Sequence, residues 1–409
     1  MTLFAVLAGM LFYLQIVRGH HYEALSRDNY IVEVPLKAPR GDIVDRNGVL
    51  VAGSRQSFSV CVIPRLIIHN TTEIALLSKV LGVSREVIEE KLSSCRSSYR
   101  PTVIKRDVSF ETISIIEEMF ADLPDVMVIS EPVRSYPLGK EFCHLVGYVG
   151  EVNRREIEES RRRYSAGDLI GKSGIERQYE RFLAGTDGVK FVRIDRLGSE
   201  AAVDLEDLPS KAPRQGMRLV LAAEASLQTV ASHLLEGNRG CICVIDVRTG
   251  EILALVSSPG FDPSLFAVGI SPEDWLRIVH DEQKPLLNRA VQSAYPPGST
   301  FKIVTAAVAL EEGILDVTTT FAPCRGSYRF GRRTFLCWKP EGHGRTNLTR
   351  ALAVSCDVYF YQVGERMHLD TFMKTAKKWL LDSTTGIDLP DEAKGLLPDS
   401  SYYLSLIHI

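Results

Sequence analysis

Apolar positions follow two different periods in the first half of the chain. From Tyr30 to Leu36 they alternate partly with polar residues, which predicts a strand. From about residue 70 to residue 128 the spacing is helical, most clearly over residues 72–81 and 84–92. This change of period predicts a small helical region inserted into a β-rich one.

The second half opens with another mixture of periods. A short apolar segment, residues 219–221, leads into a helical pattern over residues 225–235. Two apolar runs rich in β-formers, residues 241–246 and 251–256, then flank the turn residues Arg248-Thr249-Gly250. These runs predict a β-hairpin, so helices and strands are both expected here.

One predicted helix carries candidate chemistry in its first turn. Residues 295–298, with two prolines and a glycine, favour a tight turn, and the apolar run 303–310 predicts a buried helix that stops before Gly313. Ser299 is therefore expected at the helix start. Lys302 follows three residues later, on the same face.

Ser299 and Lys302 have two interpretations. A lysine facing an apolar core loses hydration, so that its neutral form becomes accessible and can accept the serine proton. The free N–H groups of the helix start can then stabilise an oxyanion. The alternative is a capping serine before a helix with a surface lysine, because Ser-x-x-Lys is a common pattern. The apolar residues around Lys302 favour the catalytic interpretation.

A second motif strengthens the catalytic interpretation. The small-residue segment 351–364 places Ser355 and Asp357 two positions apart. This spacing matches the Ser-x-Asn slot of serine acyltransferases that carry Ser-x-x-Lys, with Asp in place of Asn. Ser299, Lys302, Ser355 and Asp357 are therefore the candidate catalytic residues.

With these motifs the chain resembles a class B penicillin-binding protein. Within that class it is most similar to the elongation-type enzymes of the penicillin-binding protein 2 group. Four further segments follow the order of the family: Arg40 to Gly48, Gly171 to Glu176, Leu287 to Ala290 and Gly342 to Gly344. Together the motifs span most of the chain, which makes the resemblance far more specific than any single motif.

The resemblance implies an α+β multidomain fold. It places a membrane anchor at residues 1–18, an elongated β-rich pedestal of the dimerisation type at residues 19–215 with a helical head inserted at about 65–130, and the N-terminal part of a transpeptidase domain at residues 216–403. That last domain is α/β and similar to serine β-lactamases, with the helix of Ser299 packed on its sheet. In the pedestal we expect a structural Arg–Asp network around Arg40, with Glu176 and Tyr179 also structural.

The resemblance also implies a peptidoglycan D,D-transpeptidase of cell-wall elongation. Ser299, deprotonated by Lys302, would attack a stem peptide ending in D-Ala-D-Ala. Ser355 would relay a proton to the leaving amine, and Asp357 would orient Lys302 or the substrate. β-Lactams would acylate Ser299, and no cofactor is required for acyl transfer. The implied partners are a SEDS-type glycan polymerase and elongation scaffold proteins. A catalytically silent envelope scaffold, acting through pedestal and head, is the alternative from another class.

The N-terminus is apolar from Leu3 to Val17, apart from Gln15. This run is slightly short for a membrane span of about 20 residues. A cleaved signal peptide is the rival interpretation, but no Ala-x-Ala-like site precedes Arg18. The resemblance implies an uncleaved single-pass anchor in the bacterial inner membrane, with the bulk of the protein in the periplasm and the true start upstream of Met1.

Composition and charge exclude several classes. The 409 residues are 45% hydrophobic and 24% charged, as in a globular protein, and the net charge of -3 gives no support to nucleic-acid binding. The basic residues 161–163 lie among glutamates and are expected on a solvated helix face. Residues 166–173 fit a loose phosphate-loop pattern, but an arginine-rich segment precedes them where that site needs a buried strand, so we reject it.

The chain has eight cysteines, and three of them fall close in sequence to one another and to a histidine. They are Cys324, Cys337, His343 and Cys356. A hairpin turning at Phe330-Gly331 would place Cys324 opposite Cys337. Three thiolates and one imidazole make the composition of a closed structural zinc site, which we favour. A disulfide and unlinked thiols remain the alternatives for a chain in an oxidising compartment.

The end of the chain carries two further expectations. A helix is predicted over residues 371–381, but no Lys-Thr-Gly motif follows Asp357 in the family's order. The apolar residues 404–409 have no evident place and are expected to be a non-native tail. We therefore expect a fragment truncated within its transpeptidase domain, with little or no activity of its own.

Overall fold

The structure is a computed structural model, which describes residues 2–18, 31–93, 101–119, 121–160, 164–193 and 210–407. The chain forms two compact units, Met1–Ala290 and Val291–Ile409. The strands of the first unit are β1 (Ile31–Leu36), β2 (Ile43–Val44), β3 (Leu50–Val62), β4 (Thr102–Lys105), β5 (Val126–Ser135), β6 (Val149–Glu151), β7 (Leu169–Gly171), β8 (Gly188–Arg193), β9 (Leu219–Val220), β10 (Gly240–Ile245) and β11 (Ile252–Ser258).

Helices alternate with these strands. They are α1 (Thr2–Phe12), α2 (Pro64–Ile67), α3 (Thr71–Leu81), α4 (Arg85–Ser93), α5 (Phe110–Glu118), α6 (Gly139–Val146), α7 (Arg154–Glu159), α8 (Gly174–Gln178), α9 (Glu180–Leu183), α10 (Ala225–Leu234), α11 (Ser264–Ala267) and α12 (Pro272–Val279). The predicted mixture of helices and strands is thus confirmed.

A five-stranded sheet organises the first unit. Its central strand β3 pairs antiparallel with β5 over the whole of residues 53–62, and also with β2 and β4. β9 joins β2 in parallel, so that Ile43 pairs with Leu219 from a distant part of the chain. The predicted strand at Tyr30 to Leu36 is β1, which pairs with β8.

The inserted helical region is also present. α3 begins after Asn70, whose side chain accepts a hydrogen bond from the Glu73 N–H, and ends at Gly82, which has a positive φ of 63°. The apolar faces of α3, α4 and α5 pack against β3, β4 and β5 in one buried cluster. The helical spacing seen in the sequence is therefore the core-facing stripe of this region.

A buried ion network connects distant parts of the first unit. The Glu176 carboxylate, fully buried, lies 2.7 Å from the Arg40 guanidinium and 2.6 Å from that of Arg134. Glu180 contacts Arg40 as well, at 2.8 Å. The expected Arg–Asp network is therefore wrong in its acid: the partners of Arg40 are glutamates from α8 and α9. Asp45 instead accepts backbone N–H groups, including that of Ala225 at 2.9 Å.

Two other segments bear on the sequence interpretation. Lys172, in the rejected phosphate-loop pattern, forms an ion pair with Glu156 at 2.5 Å. The basic residues 161–163 lie outside the described residues. α1 is followed by a π-helix at Tyr13–Val17, and no helix in the described part of the chain combines the length and apolarity that a membrane crossing requires. The anchor at residues 1–18 stays a prediction.

β10 and β11 form the predicted hairpin around Arg248-Thr249-Gly250, and α10 precedes it where a helix was expected. Their register shifts between Val244 and Ile245, next to the turn. Among the described strands, β10 pairs with β11 alone.

The second unit is mainly helical. It contains a 3₁₀ turn (Gly298–Thr300), α13 (Phe301–Glu311), β12 (Ser327–Phe330), β13 (Arg333–Leu336), α14 (Leu348–Ala353), α15 (Asp357–Glu365), α16 (Leu369–Lys377) and α17 (Ser400–Ile407). α13 is not wholly buried as predicted, since Ile303 is 64% exposed. One side of α13 is buried and packs against α15 and α16. Its buried residues are Ala306, Val308 and Ala309. The helix predicted at residues 371–381 is α16.

Candidate active site

Ser299 lies in the 3₁₀ turn that leads directly into α13. Gly298 before it has a positive φ of 55°, a conformation that glycine adopts without steric cost. Ser299 itself is exposed. In the described part of the chain, its hydroxyl makes no hydrogen bond to Lys302. The helix start therefore presents Ser299 to solvent as an accessible hydroxyl.

The Lys302 amine is the hub of the site. Its Nζ lies 2.6 Å from Asp357 Oδ1, 3.0 Å from Ser355 Oγ and 2.9 Å from the Ser355 carbonyl oxygen. An ammonium group has three N–H donors, so these three acceptors match it fully. The side chain is 13% exposed, and Nζ stands 5.9 Å from the centre of the Phe360 ring. Both motifs found in the sequence thus meet at one nitrogen.

This arrangement corrects the expected surroundings of Lys302. The lysine is shielded from water, but its amine faces a carboxylate, a hydroxyl and a carbonyl rather than an apolar core. The second motif therefore surrounds the Lys302 amine with three hydrogen-bond acceptors. The contact with Asp357 is one that the resemblance implied, whereas the apolar residues next to Lys302 gave no sign of polar partners 53 and 55 positions further along the chain.

Ser355 lies just after the C-terminal end of α14, at a position where glycine is common. Its φ is +50°, in the left-handed region. The Ser355 N–H donates to Leu352 O at 3.1 Å and the Cys356 N–H to Ala351 O at 2.9 Å, which is the hydrogen-bond pattern of a Schellman turn closing α14. A side chain in this conformation costs about 1–2 kcal/mol. In return, the turn directs both the hydroxyl and the carbonyl of Ser355 to Lys302.

Asp357 begins α15 and accepts from two sides. One carboxylate oxygen contacts Lys302, and the other accepts the backbone N–H of Trp338 at 3.1 Å. Burial opposes ionisation of this carboxyl, but the hydrogen bonds from Lys302 and Trp338 and the lysine charge outweigh it and lower the pKa of Asp357. Asp357 is thus an ionised carboxylate that links the lysine to the β12–β13 hairpin.

The hairpin has a different register from the one predicted. Ser327 pairs with Leu336 and Phe330 with Arg333, so the chain turns at Gly331-Arg332 rather than at Phe330-Gly331. Cys337 therefore lies across from Gly326, whose carbonyl accepts its N–H at 2.9 Å. Cys324 pairs with Gly344 instead of facing Cys337 directly. A two-residue loop suits the twist of a hairpin, and this loop length sets the register.

The four metal-ligand candidates nevertheless converge. The ligand atoms of Cys324, Cys337, His343 and Cys356 all lie within 4.8 Å of one another. His343 Nδ1 stands 3.8 Å from the Cys324 sulfur and 3.5 Å from that of Cys337. Ligands around a tetrahedral zinc ion are separated by roughly 3.5–3.8 Å, so this donor set fits zinc. The three cysteines are free thiols in this structure, without a disulfide.

The pKa values of the residues in this cluster are shifted in different directions. Burial, followed by the neighbouring Cys324, raises the pKa of Cys356 to about 12. Burial would also raise the pKa of Cys324. Hydrogen bonds from the backbone N–H groups of Gly326 and His343 and from the other two thiols outweigh burial, so the pKa of Cys324 is lowered. Burial lowers the pKa of His343, which favours the neutral imidazole that metals bind. Its Nε2 is buried without a hydrogen-bond partner.

Two aromatic residues of the site were missed from the sequence. Trp338 hydrogen-bonds to the second motif, and Phe360 lies against the lysine amine. Neither belongs to a motif with an obvious chemical role. The one available signal was the position of Trp338 directly after Cys337.

Two family descriptions match most of the chain. Residues 35–221 match the Penicillin-binding Protein dimerisation domain, and residues 240–408 match the Penicillin binding protein transpeptidase domain. The peptidoglycan D,D-transpeptidase MrdA of Acinetobacter baumannii is 37% identical over 402 residues, which cover 97% of this chain and 59% of that protein. MrdA of Escherichia coli K12 is 34% identical over 97% of this chain and 64% of its own length.

Solved structures agree with these sequence matches. A complex between penicillin-binding protein PBP2 and MreC from Helicobacter pylori is similar with a TM-score of 0.79 and 29% identity, covering 93% of this chain and 71% of that one. The chain spans about three fifths of the length of the two curated relatives above. It belongs to the class B penicillin-binding proteins of the PBP2 type.

Proposed function

We propose that the full-length protein is a peptidoglycan D,D-transpeptidase of cell-wall elongation. One observation carries this proposal: the Lys302 amine is held by Ser355 and Asp357, and the exposed Ser299 lies three residues before it at the helix start. The MrdA proteins similar to this chain bear the name of that activity. A hydroxyl and an amine one turn apart are the parts of a serine acyltransferase.

The reaction proceeds through an acyl-enzyme. Ser299 Oγ attacks the carbonyl carbon of the penultimate D-Ala, and its proton passes to the neutral form of the Lys302 amine. Collapse of the tetrahedral intermediate breaks the peptide bond, and the terminal D-Ala leaves as an amine after taking a proton through Ser355. An amine of a second stem peptide then attacks the ester, which forms the crosslink and returns a proton to Ser299 Oγ.

Without substrate, the Lys302 amine contacts Ser355 and Asp357. A hydrogen bond between Ser299 and Lys302 is needed only when substrate lies in the site, and catalytic hydrogen bonds often tighten only in that complex. N–H groups at the start of α13 are suited to the oxyanion, since a helix N-terminus favours negative charge. β-Lactams acylate Ser299 in the same way as the stem peptide.

Location and partners follow from the family. The proposal includes a single-pass anchor at residues 1–18 in the inner membrane, with the remainder in the periplasm. It also includes an elongation scaffold protein and a SEDS-type glycan polymerase as partners. The solved complex of PBP2 with MreC from Helicobacter pylori supports the scaffold as a partner.

A structural zinc ion is the second part of the proposal. Cys324, Cys337, His343 and Cys356 would hold it, with His343 binding through Nδ1. Bound zinc would keep the thiolates deprotonated and fix the hairpin to the segment that carries Ser355 and Asp357. It takes no part in acyl transfer.

Metal analysis tests the zinc proposal. We expect about one zinc per chain, lost in Cys337→Ser, and a melting temperature that falls when a chelator is added. Cys241→Ser is the matched control, because Cys241 is an exposed cysteine outside the cluster. Protein purified without zinc that melts at the same temperature with and without chelator contradicts the proposal. Non-reducing intact mass distinguishes a disulfide from free thiols.

Ser299→Ala separates a transpeptidase from a silent scaffold. In the full-length protein, we expect this change to abolish labelling by fluorescent penicillin and to prevent rescue of a strain depleted of the native protein. Thr300→Ala is the control, because the Thr300 hydroxyl donates to the Pro297 carbonyl within the same turn and contacts neither Lys302 nor Ser355 in the described part of the chain. Growth supported by Ser299→Ala at wild-type rate would instead favour the scaffold.

A further inference from the structure

Trp338 is exposed, and its two N–H groups both donate hydrogen bonds to the segment that contains Ser355 and Asp357. It follows β13 and is 64% exposed. Its backbone N–H donates to Asp357 Oδ2 at 3.1 Å, and its indole Nε1–H donates to the Val354 carbonyl oxygen at 3.0 Å. A tryptophan with this much exposed surface contributes little to a core. Its contacts therefore point to a role other than packing.

The backbone contact fixes the orientation of Asp357. One oxygen of this carboxylate accepts from Lys302 and the other from Trp338. With donors on both oxygens, the carboxylate cannot rotate without losing a charge-assisted hydrogen bond. The hairpin thereby sets the direction from which Asp357 meets the lysine amine.

The indole contact bears on Ser355. Val354 lies directly before Ser355, which has the strained φ of +50° and offers its hydroxyl and carbonyl to Lys302. A left-handed serine persists only where its surroundings hold it. The indole N–H fixes the carbonyl of the preceding peptide. The indole ring also contacts the His343 imidazole, with 5.2 Å between ring centres.

We propose that Trp338 is a positioning residue, which holds Asp357 and the Ser355 turn in the geometry that binds the Lys302 amine. This inference rests on the proposed acyl-transfer function. Trp338 acts through Asp357 and Ser355 and has no chemical step of its own. Its effect is therefore expected on the acylation rate constant, and not on the affinity for the β-lactam before acylation.

Two measurements on the full-length protein test the proposal. The first is hydrogen exchange of the tryptophan indole N–H groups in the wild-type protein, followed by NMR. We expect the Trp338 indole to exchange at least tenfold more slowly than that of Trp379, which is 43% exposed. This measurement needs no variant, so it stands even if a substituted protein folds poorly.

The second measurement is the kinetics of acylation by a penicillin. Trp338→Phe keeps a ring and the backbone N–H but removes the indole donor. We expect the acylation rate constant to fall about three- to tenfold, as for the loss of one hydrogen bond, with the preceding dissociation constant changed less than twofold. Trp379→Phe is the matched control and retains the wild-type rate.

The outcomes separate this inference from the function on which it rests. A wild-type protein that no penicillin acylates overturns the proposed function and the role of Trp338 together. A wild-type protein that is acylated, with Trp338→Phe reacting at the rate of Trp379→Phe, overturns the role of Trp338 alone. Indole exchange as fast as that of Trp379 also overturns it.

Discussion

The ion network around Glu176 in the first unit and the one around Lys302 in the second are both shielded from water. In the first unit, Arg40, Arg134 and Glu176 are at most 9% exposed and belong to three separate segments. In the second unit, Lys302 and Asp357 are 13% and 23% exposed, next to Ser355 and near an exposed serine. Both networks join a cation to a carboxylate. They differ in the cation: arginine holds the carboxylate in the first network, and Lys302, three residues after the exposed Ser299, holds it in the second.

This difference indicates how structural and chemical charge networks are told apart. Burial alone would raise the pKa of Glu176, but the charges of Arg134 and Arg40 and their hydrogen bonds lower it, so the acid is an ionised partner of two guanidinium groups. Arginine does not give up its proton, so that network cannot transfer one. The second network is built on lysine, whose proton is exchangeable, and it opens to solvent at Ser299.

The largest expected effect concerns the stability of the first network. Glu176→Gln leaves two buried guanidinium groups without their shared anion. We expect a loss of about 3–5 kcal/mol in the free energy of unfolding, measured by urea denaturation. Glu159→Gln is the control, because its ion pair with Arg155 is exposed on α7 and should have no measurable effect. Equal stability of both variants would contradict a structural role for Glu176.

The next effect concerns function in the second network. Asp357→Ala removes the anion that orients Lys302. We expect acylation by penicillin to slow about 100-fold, or about 2.7 kcal/mol, because misplacing a catalytic group by an ångström has effects of this size. The free energy of unfolding should change by about 1 kcal/mol or less. Asp316→Ala, at an exposed turn of the same unit, is the control for acylation. An Asp357→Ala protein that is clearly less stable to unfolding, but is acylated by penicillin at the wild-type rate, would contradict this prediction.

The smallest expected effect tests whether the second network stores strain. Ser355→Gly relieves the left-handed conformation and should raise the free energy of unfolding by about 0.5–1 kcal/mol while slowing acylation. Ser355→Ala is the matched control. It removes the same hydroxyl but keeps a side chain in the strained turn, so acylation slows without a gain in stability. Equal stability of the two variants would show that Ser355 carries no strain.

Local patterns were readable from the sequence. The helices α3, α4 and α10, the strand β1 and the β10–β11 hairpin were predicted because their periodicity and turn residues lie within a short window. The cluster of three cysteines and His343 was also predicted, since its members span only 33 residues from Cys324 to Cys356. Neither prediction needed knowledge of distant parts of the chain.

Long-range partners were not readable. Glu176 lies 136 residues from Arg40, so the acid of that network was assigned wrongly to a nearby Asp. The hairpin at Gly331-Arg332 was misplaced by one position, which shifted the pairing of Cys324 and Cys337. The apolar sequence around Lys302 describes the other faces of α13 and did not indicate its polar surroundings, although the resemblance implied that Asp357 orients the lysine. Spacing identified the residues of the site, while their contacts required the fold.

We propose that Ser299 becomes a nucleophile because Lys302 is held one helical turn away. This is tested by treating the full-length protein with a penicillin and mapping the acyl group by peptide mass spectrometry. We expect one adduct per chain, on the peptide that contains Ser299, formed at least about 100-fold more slowly in Lys302→Met. An adduct on another residue, or an unchanged rate in Lys302→Met, would contradict it.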